Sequence, residues 1–125
     1  MRLNTDVKIL ICDDSILARK SLHEILVQLG YEDIAEVSNG QLAVDTYRIL
    51  KPSIVFLDIV MPVKDGITAT KEIIEYDPDA CIVIVSSVGT QTHLKEAIKA
   101  GARDFIQKPV ELEQLEHILY YCLRR

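Results

Sequence analysis

Five side chains in this 125-residue chain could do chemistry together: Asp13, Asp14, Asp58, Ser86 and Lys108. Asp58 ends a short apolar run, Ile54-Val55-Phe56-Leu57, and is followed by Ile59-Val60-Met61-Pro62. Asp13-Asp14 ends a second run, Val7 to Cys12, and Ser86-Ser87 closes a third, Cys81 to Val85. Lys108 follows a short fourth segment, Asp104 to Gln107. Three carboxylates gathered in one cleft repel, so a cation must neutralise them. All-oxygen ligation suits Mg2+ better than zinc or copper, and Mg2+ is commonly held by one or two carboxylates plus a phosphate oxygen. A carboxylate beside such an ion can attack phosphorus and form an acyl phosphate. Lys108 would offset charge on a phosphoryl oxygen, and the Ser86 hydroxyl would donate to another. Taken singly, each residue has a plainer reading: Asp13 or Asp14 as a helix cap, Ser86 and Ser87 as loop residues, Lys108 as surface. The functional reading rests on the set.

The elements that must position these groups follow from periodicity. A continuous apolar run of four to six residues reads as a strand buried on both faces, as in a parallel sheet. Ile34 to Ser38 has mixed faces and reads as an edge strand. Between the strands lie helical patterns. Leu22, Ile25, Leu26 and Leu29 form one apolar face, followed by Gly30 as a stop. Ala43, Val44, Tyr47 and Leu50 face inward in a second helix, broken at Lys51-Pro52, and Ile73 and Ile74 in a third. Leu94, Ala97 and Ile98 are expected inward in a fourth, ended by Gly101. Leu112, Leu115, Ile118, Leu119 and Cys122 are expected inward in a fifth. Five strands alternating with five helices predict an α/β fold, a parallel sheet covered on both faces with right-handed crossovers. Parallel strands bring all their carboxyl ends to one edge, where open α/β sheets keep their ligand sites. Residues 13, 58, 86 and 108 meet there by topology alone.

Composition bounds the function. Hydrophobic residues make up 49% and charged residues 26%, an ordinary globular balance rather than a disordered one. Net charge is −5, which argues against nucleic acid or an anionic membrane as the main partner. No apolar run reaches the roughly 20 residues of a bilayer span. The first residues lack the apolar core of a secretory signal, so a cytoplasmic location is expected. Cys12, Cys81 and Cys122 lack metal-like spacing and fall in apolar segments, which reads as buried thiols. His23, His93 and His117 all lie on helical patterns and read as surface or half-buried positions.

In this order and spacing the pieces resemble response-regulator receiver domains, the CheY-like family. They are Ile9 to Ser15, Phe56 to Pro62 with Asp65-Gly66, Val85-Ser86-Ser87, Ala100 to Phe105, and Lys108-Pro109, and the likeness runs from about Val7 to Leu123. It implies a flavodoxin-like five-stranded sheet in the order 2-1-3-4-5, a single receiver domain over residues 1–125 and no effector domain. Asp58 would accept a phosphoryl group from a sensor histidine kinase or a phosphotransfer protein. Asp13, Asp14, Asp58 and the backbone carbonyl of Val60 would hold Mg2+, with Mn2+ able to substitute. Ser86 and Lys108 would bind the phosphoryl group, Phe105 would be the aromatic switch, and Lys108-Pro109 would be a cis peptide. The fourth helix, fifth strand and fifth helix would present the output face to a downstream target. No membrane and no direct nucleic-acid contact are implied, and no enzymatic turnover beyond slow autodephosphorylation.

Three departures stand out. Val60 and Val88, two residues past Asp58 and Ser86, are apolar where receivers are often polar, so they are expected to hinder an in-line water and prolong the acyl phosphate. Ser87 stands where a smaller residue is common, because the phosphoryl group passes close by; it is counted with the phosphoryl-binding residues, either obstructing access or adding a donor. Phe105 has no hydroxyl, so any partner contact there is by packing. Rival readings divide on the same residues. A phosphohydrolase using an aspartyl phosphate needs a second carboxylate two residues past the nucleophile, and that position is Val60. An FMN carrier needs hydroxyls and glycine after the first strand, and Asp13-Asp14 would instead repel a phosphate. The remaining alternatives are a receiver cut from a longer, for instance transcriptional, regulator and a receiver used purely for docking.

Overall fold

The strands come in pairs of faces, and that pairing builds two cores. The computed structural model describes residues 6–87 and 91–123. Its elements in chain order are β1 (Lys8–Cys12), α1 (Ile16–Gln28), β2 (Asp33–Val37), α2 (Gly40–Leu50), β3 (Ile54–Leu57), α3 (Gly66–Tyr76), β4 (Ile82–Ser86), α4 (Gln91–Ala100), β5 (Asp104–Gln107) and α5 (Leu112–Leu123). All strands are parallel, in the order β2-β1-β3-β4-β5, as the resemblance implied. Side chains alternate across a strand. Ile9, Ile11, Phe56, Val83, Val85 and Ile106 therefore fill one core with Leu22 and Leu26 of α1 and Leu115, Ile118 and Leu119 of α5. Leu10, Cys12, Val55, Leu57, Ile82 and Ile84 fill the other, against Ala43, Val44 and Tyr47 of α2, Ala69 and Ile73 of α3 and Ala97 of α4. The central strands β3 and β4 are buried at every position, whereas β2 at the sheet edge is only half-buried, matching its mixed sequence.

Helix starts are capped by short polar side chains. The Ser15 hydroxyl accepts from the Ala18 N–H, and the Asn39 and Asp65 side chains accept from Leu42 and Thr68, each worth about 1 kcal/mol. Gly30 and Gly101 both take positive φ just past helix ends, at 98° and 117°. Lys51 caps α2 in the left-handed region before Pro52. Cys12, Cys81 and Cys122 are buried, as expected. No helix among the described residues is long and apolar enough to cross a membrane.

Three expected inward positions are corrected. Leu94 is 38% exposed, Ile98 48% and Leu112 40%. On α4 the buried stripe is instead Ala97 and Ala100, small side chains that let the helix lie close against α3 and β5. Leu94 and Ile98 flank that stripe, and among the described residues no further element covers them, since α4 lies near the edge strand β5. Leu112 opens α5 before the helix meets the sheet at Leu115. Leu50 is half-buried rather than fully inward.

These burials set the stability contrast. Leu26→Ala should cost about 2–5 kcal/mol in urea unfolding, because Leu26 is fully enclosed. Ile98→Ala should stay within about 0.5 kcal/mol.

Candidate functional site

The carboxyl ends of β1, β3, β4 and β5 converge on one edge of the sheet. Asp13 and Asp58 are buried there, Ser86 is fully buried as the last residue of β4, and Asp14 is exposed at the rim. One oxygen from each of Asp13, Asp14 and Asp58 lies within 4.8 Å of the others. The Lys108 ammonium sits between two of them, 2.7 Å from Asp13 Oδ2 and 3.4 Å from Asp58 Oδ2. Backbone N–H groups take the other oxygens. Ser15 donates to Asp13 Oδ1 at 2.9 Å, and Ile59 donates to Asp58 Oδ1 at 2.8 Å. Asp58 is thus held by one oxygen while the other faces the ammonium.

Burial pushes the Asp58 carboxyl above its ordinary value. The Lys108 charge pulls it back, Asp13 pushes it further, and the Ile59 N–H and the Ser86 hydroxyl pull it down without cancelling the rise. For Lys108 burial opposes the charge, yet the hydrogen bond to Asp13 and the charges of Asp58 and Asp13 outweigh it, and its pKa is raised. The pair is therefore unequal: the lysine gains net stabilisation of its charge, while the carboxylate still loses. The donor set is oxygen only, with excess negative charge around a partly open cleft, and this fits a hard divalent cation such as Mg2+.

The loop after β3 is folded back onto its own strand. The Gly66 N–H donates to the Ile59 carbonyl at 2.8 Å. A Cβ on Gly66 would lie 2.0 Å from the Asp58 carbonyl oxygen, so only glycine permits this close return. Val60, between them, has its side chain 61% exposed at the site's rim. Val88 lies outside the described residues. The Lys108–Pro109 peptide is cis. Ser87 is exposed.

Phe105 is half-buried and packs against the α2–α3–α4 core. Register explains its relation to Ser86. Phe105 pairs with Ile84, and Ser86 is two residues further along β4, so both project to the same face. A cavity of about 390 Å3 opens at the site itself, lined by Asp13, Asp58 and Lys108 and, on the apolar side, by Ile11, Phe56 and Val85.

The remaining candidates fall apart from the site. The Cys12 thiol donates to the Asn39 carbonyl at 3.1 Å and lies 3.2 Å from the Met61 sulfur, and burial together with Asp13 and Asp58 pushes it up to about 12. It is an inert neighbour, not a nucleophile. His93 is half-buried on α4, and the His117 ring meets Tyr121 at a tilt of 57°, 4.6 Å between ring centroids. Arg19 was not singled out from the sequence. It donates to the Asp13 carbonyl at 2.7 Å and to Glu36 at 3.2 Å. Its position six residues past Asp13 carries no local signal, because Glu36 lies on a different strand.

With this geometry in place, comparison with known proteins is informative. The response regulator receiver domain family matches residues 9–120. The chain is 48% identical over 104 residues to the chemotaxis protein CheY of Thermotoga maritima, covering 83% of this chain and 87% of that protein. Among solved structures it resembles the Borrelia burgdorferi CheX–CheY–BeF3–Mg complex, with TM-score 0.88, 31% identity, and 95% and 90% of the two chains covered. It also resembles the receiver domain of a Pseudomonas aeruginosa sensor histidine kinase, whose active-site cleft coordinates magnesium. There the TM-score is 0.87, the identity 25%, and the coverage 95% and 98%.

The raised Asp58 pKa predicts a pH signature in metal-free protein. A raised carboxyl pKa means the fold holds that proton more tightly than the unfolded chain does. The cost of ionised Asp58 is then full above the folded value and vanishes below the ordinary 3.8. Asp58→Asn should raise Tm at pH 7, with the gain fading as pH falls toward 3.8. Thermal melts across pH check this.

Proposed function

This chain belongs to the response regulator receiver domain family, and we propose that it works as a phosphorylation-driven switch with Asp58 as the acceptor. The observation that carries this reading is the buried Asp58 carboxylate at the end of β3, with the Lys108 ammonium at 3.4 Å and two more carboxylates beside it. Asp13, Asp14, Asp58 and the Val60 carbonyl would hold Mg2+, or Mn2+ in its place. When bound, the ion supplies the positive charge that lets three carboxylates and a phosphoryl group share one cleft.

The chain's own groups do the rest. Ile59 N–H fixes Asp58 Oδ1, leaving Oδ2 toward the cleft. Burial makes this carboxylate more basic and so a better nucleophile. It attacks the phosphorus of a phosphohistidine on a kinase or phosphotransfer protein. A P–O bond forms as the P–N bond breaks, and the electron pair leaves on the histidine nitrogen. Lys108 shifts from the carboxylates to a phosphoryl oxygen, and Ser86 donates to another. Phosphorylation adds up to roughly two negative charges and so favours the state in which Ser86 and Lys108 close in. Because Phe105 shares a face with Ser86, space that Ser86 vacates is open to its ring. The exposed Leu94 and Ile98 on α4 and Tyr121 on α5 supply apolar surface for a downstream target on the α4–β5–α5 face. Exposed Ile16 and Leu17 at the start of α1 flank the site where the phosphodonor must approach. This exchange takes place in the cytoplasm, and the protein accepts the group rather than turning over substrate.

Incubation with a small phosphodonor and Mg2+, followed by intact mass, should show addition of one phosphoryl group. The addition should be lost on chelation and in Asp58→Asn. An adduct that survives Asp58→Asn would overturn the reading.

Val60 should govern lifetime. Replacing it with a polar residue that can orient water should speed autodephosphorylation about tenfold, equivalent to about 1.4 kcal/mol off the barrier. An unchanged or slower decay of the phosphorylated protein would sink the idea.

A further inference from the structure

The turn that carries Asp13 and Asp14 is held by a side chain that touches no reacting group. Asp13 uses four polar groups. Its N–H donates to the Val37 carbonyl at 3.2 Å, Oδ1 accepts from Ser15, and Oδ2 accepts from Lys108. The fourth, its main-chain carbonyl, accepts from Arg19 Nη1 at 2.7 Å. A peptide unit is planar and turns as one body, so fixing the Asp13 carbonyl fixes where Asp14 begins.

Arg19 is itself aimed. Its Nε donates to Glu36 Oε1 at 3.2 Å, and Glu36 Oε2 lies 2.8 Å from His23 Nδ1. Glu36 stands on the edge strand β2, in register with Ile11 of β1. The Arg19 side chain is only 17% exposed. The planar fork of the guanidinium sets two donors in fixed directions, one toward β2 and one toward the site. Lysine, a single point of charge, cannot satisfy both.

We infer that Arg19, anchored by Glu36, is a positioning residue that holds the Asp13–Asp14 turn in the geometry needed to bind a divalent cation. This rests on the metal-dependent reading proposed above. The sign of the effect separates positioning from simple charge. A cation beside the site repels Mg2+, so removing a mere charge would tighten metal binding. Removing a positioning group loosens it, because partners behind metal ligands typically account for at least tenfold in affinity.

The test pairs two measurements on the full chain. Mg2+ affinity is measured by calorimetry, and hydrogen exchange of the Ser15 amide is followed by NMR in metal-free protein. Arg19→Gln should weaken Mg2+ about tenfold and speed exchange at Ser15, with the β4 amides of Val83 and Ile84 unchanged as a check on folding. Arg19→Lys should fall between Arg19→Gln and the parent. Glu36→Ala should give a smaller loss and add nothing to Arg19→Gln, the non-additivity expected of residues acting in series. Equal or tighter Mg2+ binding in Arg19→Gln, or unchanged Ser15 exchange, would overturn the inference. If the parent itself binds no Mg2+, the metal-dependent reading fails. The hold of Arg19 on the turn is then decided by the metal-free exchange alone.

Discussion

One unequal ion pair governs the site. Asp13 and Asp58 are both buried, they repel each other, and one ammonium, Lys108, stands between them. The lysine is closer to Asp13, so Asp58 remains the less satisfied of the two. This leaves Asp58 basic and short of positive charge, which is the condition for both a metal and an electrophilic phosphoryl group to be welcome. Lys108 can be drawn elsewhere because its hold on Asp58 is already long.

The fold exists to maintain that imbalance. Parallel pairing of β1, β3, β4 and β5 delivers four side chains to one edge without any sequence proximity. Two cores, one on each face, bury β3 and β4 at every position. The rim is fixed by backbone: Ser15 and Ile59 N–H groups hold one oxygen of each buried carboxylate, and Gly66 lets the following loop return against Asp58. Arg19 of α1, anchored on Glu36 of the edge strand, adds a side-chain hold on the Asp13 carbonyl. The α4 side is less covered: Leu94 and Ile98 lie exposed there, and Phe105 is only half-buried.

The exposed residues on α4 also show where periodicity misleads. Leu94, Ala97 and Ile98 sit at helical spacing and read as one inward face. Spacing states which residues share a face, not how wide the covering surface is. Near a sheet edge only a narrow strip is covered, and Ala97 and Ala100 occupy it. On α1 and α2 the same reading fared better: Leu22, Leu26, Ala43, Val44 and Tyr47 are buried, while Ile25, Leu29 and Leu50 are half-buried.

The sequence by itself determined the alternation of strands and helices, the burial of β3 and β4, the edge character of β2, the helix stop at Gly30, and the presence of Asp13, Asp14, Asp58, Ser86 and Lys108 at strand ends. These are properties of short windows, where side-chain period and capping chemistry act within a few residues. Family membership was legible for the same reason, through motifs whose order and spacing are local facts. Tertiary structure alone decided that Lys108 leans on Asp13 more than on Asp58, that Ser86 and Phe105 share a face, and that Arg19 reaches from Glu36 to the Asp13 carbonyl. Each depends on the register between strands and on distances across the sheet edge. Those are fixed only when non-neighbouring segments pack, and no window of the chain contains them.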